Sequence, residues 1–181
     1  RVDRRQRQMC IRDREDIEPD IIALAKGLGG GFPVGAVMAK ANVGDAMVPG
    51  THGSTFGGNP LAMRSANAVL DLLLEDQFLD TLRDKIIYFD SKMDDLIKNN
   101  TEDKSIFLKK KGSGMLRGLE LVENISAADF ASIARSKGLL LVGAAENTIR
   151  LLPPLNTSVG EINEAFEILH DVTLILNIKL N

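Results

Sequence analysis

"DIIALAKGLGGGFPVGAVMA", residues 20–39, sets one lysine between two apolar runs and follows it with four glycines in five residues. The Ile-rich run 20–25 reads as a buried strand, and 34–39, opening after Gly-Phe-Pro, reads as a second. Lys26 then stands between strands, at the end of the first. Two readings of it are open. Its stem can pack on apolar surface while the ammonium reaches water. Alternatively, the amine is a Schiff-base nucleophile, which needs a rigid strand end and a cleft that keeps part of it neutral. The glycines give that cleft room, because backbone without Cβ lies close to a ligand and turns through positive φ. A nucleotide-binding loop is the rival use of such glycines. There the lysine follows the glycines, the reverse of the order here.

A second stretch, "THGSTFGGNP" at 51–60, combines the hydroxyls of Thr51, Ser54 and Thr55 with a loop just ahead of a helix start at Asn59-Pro60. Hydroxyls and backbone amides at a helix N-terminus suit an anion. A small polar surface turn has the same composition.

Outward from these stretches, the chain alternates helices and strands, as an α/β or α+β layer domain does. Residues 41–58 read as a loop. Asn59 is an N-cap with proline at the first helical position, and Leu61, Val69, Leu72 and Leu73 are the expected apolar stripe. Phe78, Leu82, Ile86, Phe89, Met93 and Leu96 then recur at spacings of three and four, which predicts a second helix ending near Asn99-Asn100. Strands are expected over 105–108 and 115–122, joined by the turn "KGSG", and over 139–142 and 149–152. A helix over 127–137 is stopped by Gly138. The last helix starts near 159, with Ser158 and Glu161 in capping-box spacing.

Composition narrows the function. The net charge of −3 gives no reason to expect nucleic acid or an anionic membrane as partner. No apolar run reaches the roughly 20 residues that span a bilayer, so the expected location is cytoplasmic. One cysteine, Cys10, forms no internal disulfide, and two histidines, His52 and His170, lie far apart, so no metal site is expected. The opening "RVDRRQRQMCIRDR" holds six of the eleven arginines and no lysine, and residues 1–14 read as a foreign, disordered tail.

"PDIIALAKGLGGGFPVGAVMA" followed by "HGSTFGGNPLA" resembles the class III pyridoxal-phosphate-dependent aminotransferases of fold type I, most of all the acetylornithine and ornithine aminotransferases. The separation of 29 positions between Lys26 and Thr55 matches that family's spacing, and "GSGMLRGLEL" and "TIRLLPPLN" resemble its small-domain strands. The resemblance implies an α/β fold in parts: a remnant of the large cofactor-binding domain over 15–59, connecting helices over 60–99, and a small α+β domain over 100–181. It implies that Lys26 forms the covalent link to pyridoxal 5′-phosphate and shuttles protons. Thr55, with Ser54 beside it, binds the cofactor phosphate across a homodimer interface, and Arg150 holds the substrate carboxylate. An edge-strand surface charge is the plain alternative for Arg150. His52, Asn59 and Arg117 lie in similar motifs and are given no chemistry.

The implied reaction is transamination of acetylornithine or ornithine with 2-oxoglutarate, in arginine biosynthesis. Amino acids and 2-oxo acids are then the small-molecule partners. Other class III enzymes, acting on 4-aminobutyrate, diamines or glutamate semialdehyde, share these motifs and stay open. So does an inactive structural fragment, because no segment here resembles the family's aspartate for the pyridine nitrogen, its upstream phosphate loop or its stacking aromatic.

Overall fold

The structure, a computed structural model, describes residues 18–98 and 106–180. The tail reading over 1–14, the Asn99-Asn100 helix end and the start of the strand expected at 105 lie outside them. The chain divides into two compact units, with the boundary between Phe78 and Leu79.

In the first unit the two apolar runs form an antiparallel hairpin, but the run expected to be buried is not: Ile21, Ala23 and Ala25 are exposed and Ile22 and Leu24 half-buried, because a two-stranded hairpin covers neither of its own faces. Strand β1 (Ile21–Ala25) pairs with β2 (Gly35–Ala39) in a register running from Ile21 opposite Ala39 to Ala25 opposite Gly35. At the open end, Lys40 N–H donates to the Asp20 carbonyl at 3.0 Å, and their side chains form an ion pair at 3.0 Å. Residues 26–34 make the connection at the other end, beginning with a 3₁₀ turn over Lys26–Gly29.

The stretch expected as loop contains one helical turn, α1 (Ala41–Gly44), closed by the amides of Val43 and Gly44 on the Lys40 carbonyl. A single turn is too short for apolar periodicity to register. Helix α2 (Pro60–Leu73) begins as expected: the Asn59 side chain caps it and proline occupies its first turn. Its inner face differs from the expected stripe. Ala62 and Ala66 are buried, with Ser65, Val69 and Leu73 half-buried beside them, whereas Leu61 and Leu72 are exposed. Small residues let α2 come close to the lysine turn, and that proximity outweighs apolar bulk in deciding which face turns inward.

The second unit is built from α3 (Phe78–Lys98, all but its first residue), β3 (Phe107–Ser113), β4 (Leu116–Leu121), α4 (Ala127–Ser136), β5 (Val142–Ala144), β6 (Thr148–Leu151) and α5 (Val159–Leu180). Its sheet has the order β3-β4-β6-β5 with every neighbouring pair antiparallel. Alternation along the strands sends Leu119, Leu121, Ile149 and Leu151 to the helix-covered face, where they join Met93, Phe130, Ile162, Leu169 and Val172 in one core. Phe89 meets Phe166 edge-on at 5.4 Å between ring centres. The helix stripe expected from Leu82 to Leu96 does turn inward, with Phe78 and Ile86 half-buried.

Strand β3 is longer than expected, because the lysine run 109–111 pairs instead of turning. Lys110 meets Asp90 at 3.0 Å and Asp94 at 2.7 Å on α3, while Lys109 and Lys111 both pair with Glu120 across the strands. Strand β5 starts at Val142, so of the expected strand 139–142 only its last residue extends. Ser158 and Glu161 form the capping box: Ser158 N–H donates to Glu161 Oε2 at 2.7 Å, and Glu161 N–H donates to Ser158 Oγ at 3.2 Å. Among the described residues no helix is long and apolar enough to cross a membrane.

Candidate active site

Lys26 is the first residue beyond β1. Ala25 before it is extended, with φ −161° and ψ −171°, and Lys26 itself has φ +61°. A left-handed non-glycine residue costs roughly 1 kcal/mol or more, and such outliers gather at sites where geometry serves function. Nothing in the sequence signals this, because lysine has no preference for that region. Beyond Lys26 the turn closes by Gly30 N–H to the Gly27 carbonyl at 3.1 Å and Phe32 N–H to the Gly29 carbonyl at 2.9 Å. Gly29 is buried, and a Cβ there would stand 2.7 Å from Val34 Cγ1. At Gly27 a Cβ would meet nothing within 4 Å, so the surface next to the exposed lysine is open.

The second motif follows in the same unit. Ser54 and Thr55 are exposed in the loop ahead of α2. The loop is held by Gly57 N–H on the Ser54 carbonyl at 3.1 Å and by Asn59 N–H on the Phe56 carbonyl at 3.3 Å. The helix end does not offer the free amides expected of it. Asn59 Oδ1 accepts from Leu61 N–H at 3.0 Å and Ala62 N–H at 3.2 Å, and Pro60 has no N–H to give. Any anion held here would therefore rest on the loop's hydroxyls and its own backbone amides, not on the helix end. His52 is exposed in the same loop.

A hydrogen bond and a close approach join the turn to the helix that carries this loop at its head. Ser65 Oγ donates to the Gly29 carbonyl at 2.7 Å, and a Cβ at Gly30 would lie 3.0 Å from Val69 Cγ2. Sequence reading missed Ser65. The only signal was a hydroxyl on the Ala62–Ala66 face, visible once that face is known to point inward.

Arg150 belongs to the second unit. It sits on β6, opposite Gly118 of β4 and Val142 of β5, so its strand is interior and the edge-strand alternative does not describe it. Its side chain lies on the sheet face away from Ile149 and Leu151. Gly118 beside it carries no side chain, and a Cβ there would strike Thr148 Cγ2 at 2.7 Å. A contrast is provided by Arg117 on the neighbouring strand β4, where each guanidinium nitrogen has a partner: Nη2 pairs with Asp90 Oδ1 at 2.8 Å, Nε donates to the Gly114 carbonyl at 3.0 Å, and Nη1 donates to the Gly112 carbonyl at 2.8 Å. Among the described residues no comparable partner engages the Arg150 guanidinium.

A further residue that sequence reading passed over is Asn147, in the turn before β6, at φ +45°. Its Oδ1 accepts Ala127 N–H at 2.9 Å, while Nδ2 donates to the carbonyls of Val122 at 2.9 Å and Ile125 at 2.8 Å. It caps α4 from a distance and fixes the approach to Arg150's strand.

The fold is that of part of a fold type I aminotransferase. The chain belongs to the class-III aminotransferase family, whose model matches residues 9–173. It is 40% identical over 152 residues to acetylornithine aminotransferase 1 of Bradyrhizobium diazoefficiens, covering 84% of this chain and 36% of that protein. The crystal structure of acetylornithine aminotransferase from Elizabethkingia anophelis superposes with a TM-score of 0.79 at 33% identity, over 90% of this chain and 42% of that one. An ornithine aminotransferase of Toxoplasma gondii, whose active site holds pyridoxal phosphate at partial occupancy, gives a TM-score of 0.83 at 29% identity, over 97% of this chain and 41% of its own. The chain thus spans well under half the length of these relatives. Class-III aminotransferases depend on pyridoxal phosphate and act on amino and oxo acids. The donor set in the first unit fits that group chemically: a primary amine for its aldehyde, with open space beside it, and loop hydroxyls for its phosphate.

Proposed function

We propose that the protein transaminates acetylornithine or ornithine, with 2-oxoglutarate as amino acceptor, in arginine biosynthesis, using pyridoxal 5′-phosphate linked to Lys26. The observation that carries this reading is Lys26 itself, held left-handed at a strand end beside open space, in a chain of the class-III family. When bound, pyridoxal phosphate supplies the carbonyl that exchanges amino groups and the ring that takes up the electron pair. Lys26 would hold that group through Nζ, and the same amine, once free, would take the proton from the substrate Cα and deliver it during the transfer. The hydroxyls of Ser54 and Thr55 bind the phosphate of the neighbouring subunit's cofactor in a cytoplasmic homodimer. Arg150, with its guanidinium uncommitted, binds the substrate carboxylate through the two parallel hydrogen bonds that a fork and a carboxylate share.

The test is borohydride reduction of the full-length gene product loaded with pyridoxal phosphate, followed by peptide mass mapping. The phosphopyridoxyl group is expected on Lys26, and its appearance on another lysine, or on none, defeats the reading. Shared sites are checked by mixing Lys26→Ala and Thr55→Ala subunits. One intact site per mixed dimer should restore about half the unaltered activity of that dimer.

A further inference from the structure

We propose that Ser65 is a positioning residue for Lys26, registering the lysine turn against the helix whose head carries Ser54 and Thr55; the proposal rests on the reading of Lys26 given above. A serine inside a helix commonly turns its hydroxyl back to the carbonyl four residues earlier. Ser65 instead donates to the Gly29 carbonyl, 36 positions away, at 2.7 Å. The backbone bonds of the turn are internal to it: Gly30 N–H to the Gly27 carbonyl, and Phe32 N–H to the Gly29 carbonyl. The rest of the fastening is steric, through buried Gly29 under Val34 and Gly30 against Val69.

The geometry makes α2 a strut. Lys26 opens the 3₁₀ turn and Gly29 closes it, so fixing the Gly29 carbonyl fixes the far end of a four-residue unit. From Asn59 to Ser65 the helix advances about 9 Å, at roughly 1.5 Å per residue. Along that length the loop of Ser54 and Thr55 and the turn of Lys26 refer to one rigid element. The left-handed backbone at Lys26 needs such support, because a strained residue persists only where its surroundings over-determine it. Ala62 and Ala66 share the inner face with Ser65, so no second polar group on that face duplicates the bond.

The test uses the full-length gene product with Ser65→Ala, Ser65→Cys and Ser65→Thr. Two quantities are read: the half-saturating concentration of pyridoxal phosphate, from absorbance of the bound chromophore, and the reductive methylation rate of Lys26 relative to Lys40 in the cofactor-free protein, by mass spectrometry. Loss of one hydrogen bond should raise the half-saturating concentration roughly fivefold in the Ala and Cys variants and shift the Lys26 rate by a similar factor. The Thr variant, which keeps the hydroxyl, should stay within about twofold of the unaltered protein. Ala and Cys variants indistinguishable from the unaltered protein in both quantities would overturn the proposal, as would a Thr variant that behaves like Ala. Should borohydride fail to tag Lys26 in the unaltered protein, the reading of Lys26 fails instead. The methylation arm needs no cofactor and still judges Ser65.

Discussion

The two units of this chain solve different problems. Among the described residues of the first, only Gly29, Ala62 and Ala66 are buried, while Val37 is 71% exposed and Phe56 81%. The second gathers Phe130, Leu119 and Ile149 at 0% exposure into a continuous core under three helices. The first spends its sequence on an amine, hydroxyls, glycine turns and one left-handed lysine. The second spends its sequence on packing, and carries its candidate ligand group, Arg150, as a single uncommitted side chain on an interior strand. Groups meant for a ligand must stay unsatisfied by the protein, whereas exposed apolar residues such as Val37 and Phe56 are surface of the kind that associates with other protein.

The largest effect is expected from removing bulk in the second unit. Phe130→Ala should cost about 3–5 kcal/mol, since it empties the centre of a packed core. Urea denaturation followed by circular dichroism reads it, and a loss under 1 kcal/mol would mean that the core is looser than its burial implies. Asn147→Ala comes next, at about 2 kcal/mol: it removes a helix cap, leaves Ala127 N–H without its acceptor, and forces alanine to hold positive φ. Asn147→Gly, which tolerates that backbone, should recover part of the loss in the same assay.

Acid sharpens the contrast further, by a smaller amount. Glu161 is held below the usual glutamate range by the Ser158 N–H and hydroxyl, Glu120 by Lys111, Asp94 by Lys110 and Asp171 by Lys137. A carboxylate whose folded pKa is depressed stabilises fully above its ordinary value of about 4, and the contribution fades as pH falls through the folded value. These groups lie near the surface, so solvent screening keeps the effect modest. The melting temperature of the second unit should fall between about pH 5 and pH 2. In the first unit the resolved shift runs the other way: Asp20 raises Lys40, so that contribution is present below the ordinary lysine range and is lost only as pH rises through the folded value. Thermal melts from pH 2 to 7 in which the second unit's transition does not move would refute this account. The smallest effect belongs to the outer face of α2, where Leu61→Ser should change stability by less than about 0.5 kcal/mol. A loss several times larger in the same urea assay would show that this face packs on something.

Much of the architecture was legible because it is local. The lysine between two apolar runs, the Asn59-Pro60 helix start, the Phe78-to-Leu96 stripe, the Gly138 stop and the Ser158–Glu161 box each depend on residues within a few positions of one another. Periodicity and capping are properties of such windows. The two motifs that hold Lys26 and Thr55, 29 positions apart, were singled out by their resemblance to the class-III family. Four things were not legible. The inner face of α2 was decided by how closely a helix can approach a glycine turn, a matter of fit and not of hydrophobicity. The lysine run 109–111 became strand because Asp90, Asp94 and Glu120, distant along the chain, supply its counter-charges. The Asn59 side chain consumed the amides that a helix start otherwise offers to an anion. Ser65 and Asn147 found their partners across 36 and 20 positions. Residue order alone set an amine after the first apolar run, hydroxyls ahead of the Asn59-Pro60 helix start and an arginine in the 149–152 strand. The tertiary structure alone decided which of their polar groups are already spent on the fold and which are left to act, because a hydrogen bond or ion pair between distant residues exists only once the chain has brought them together.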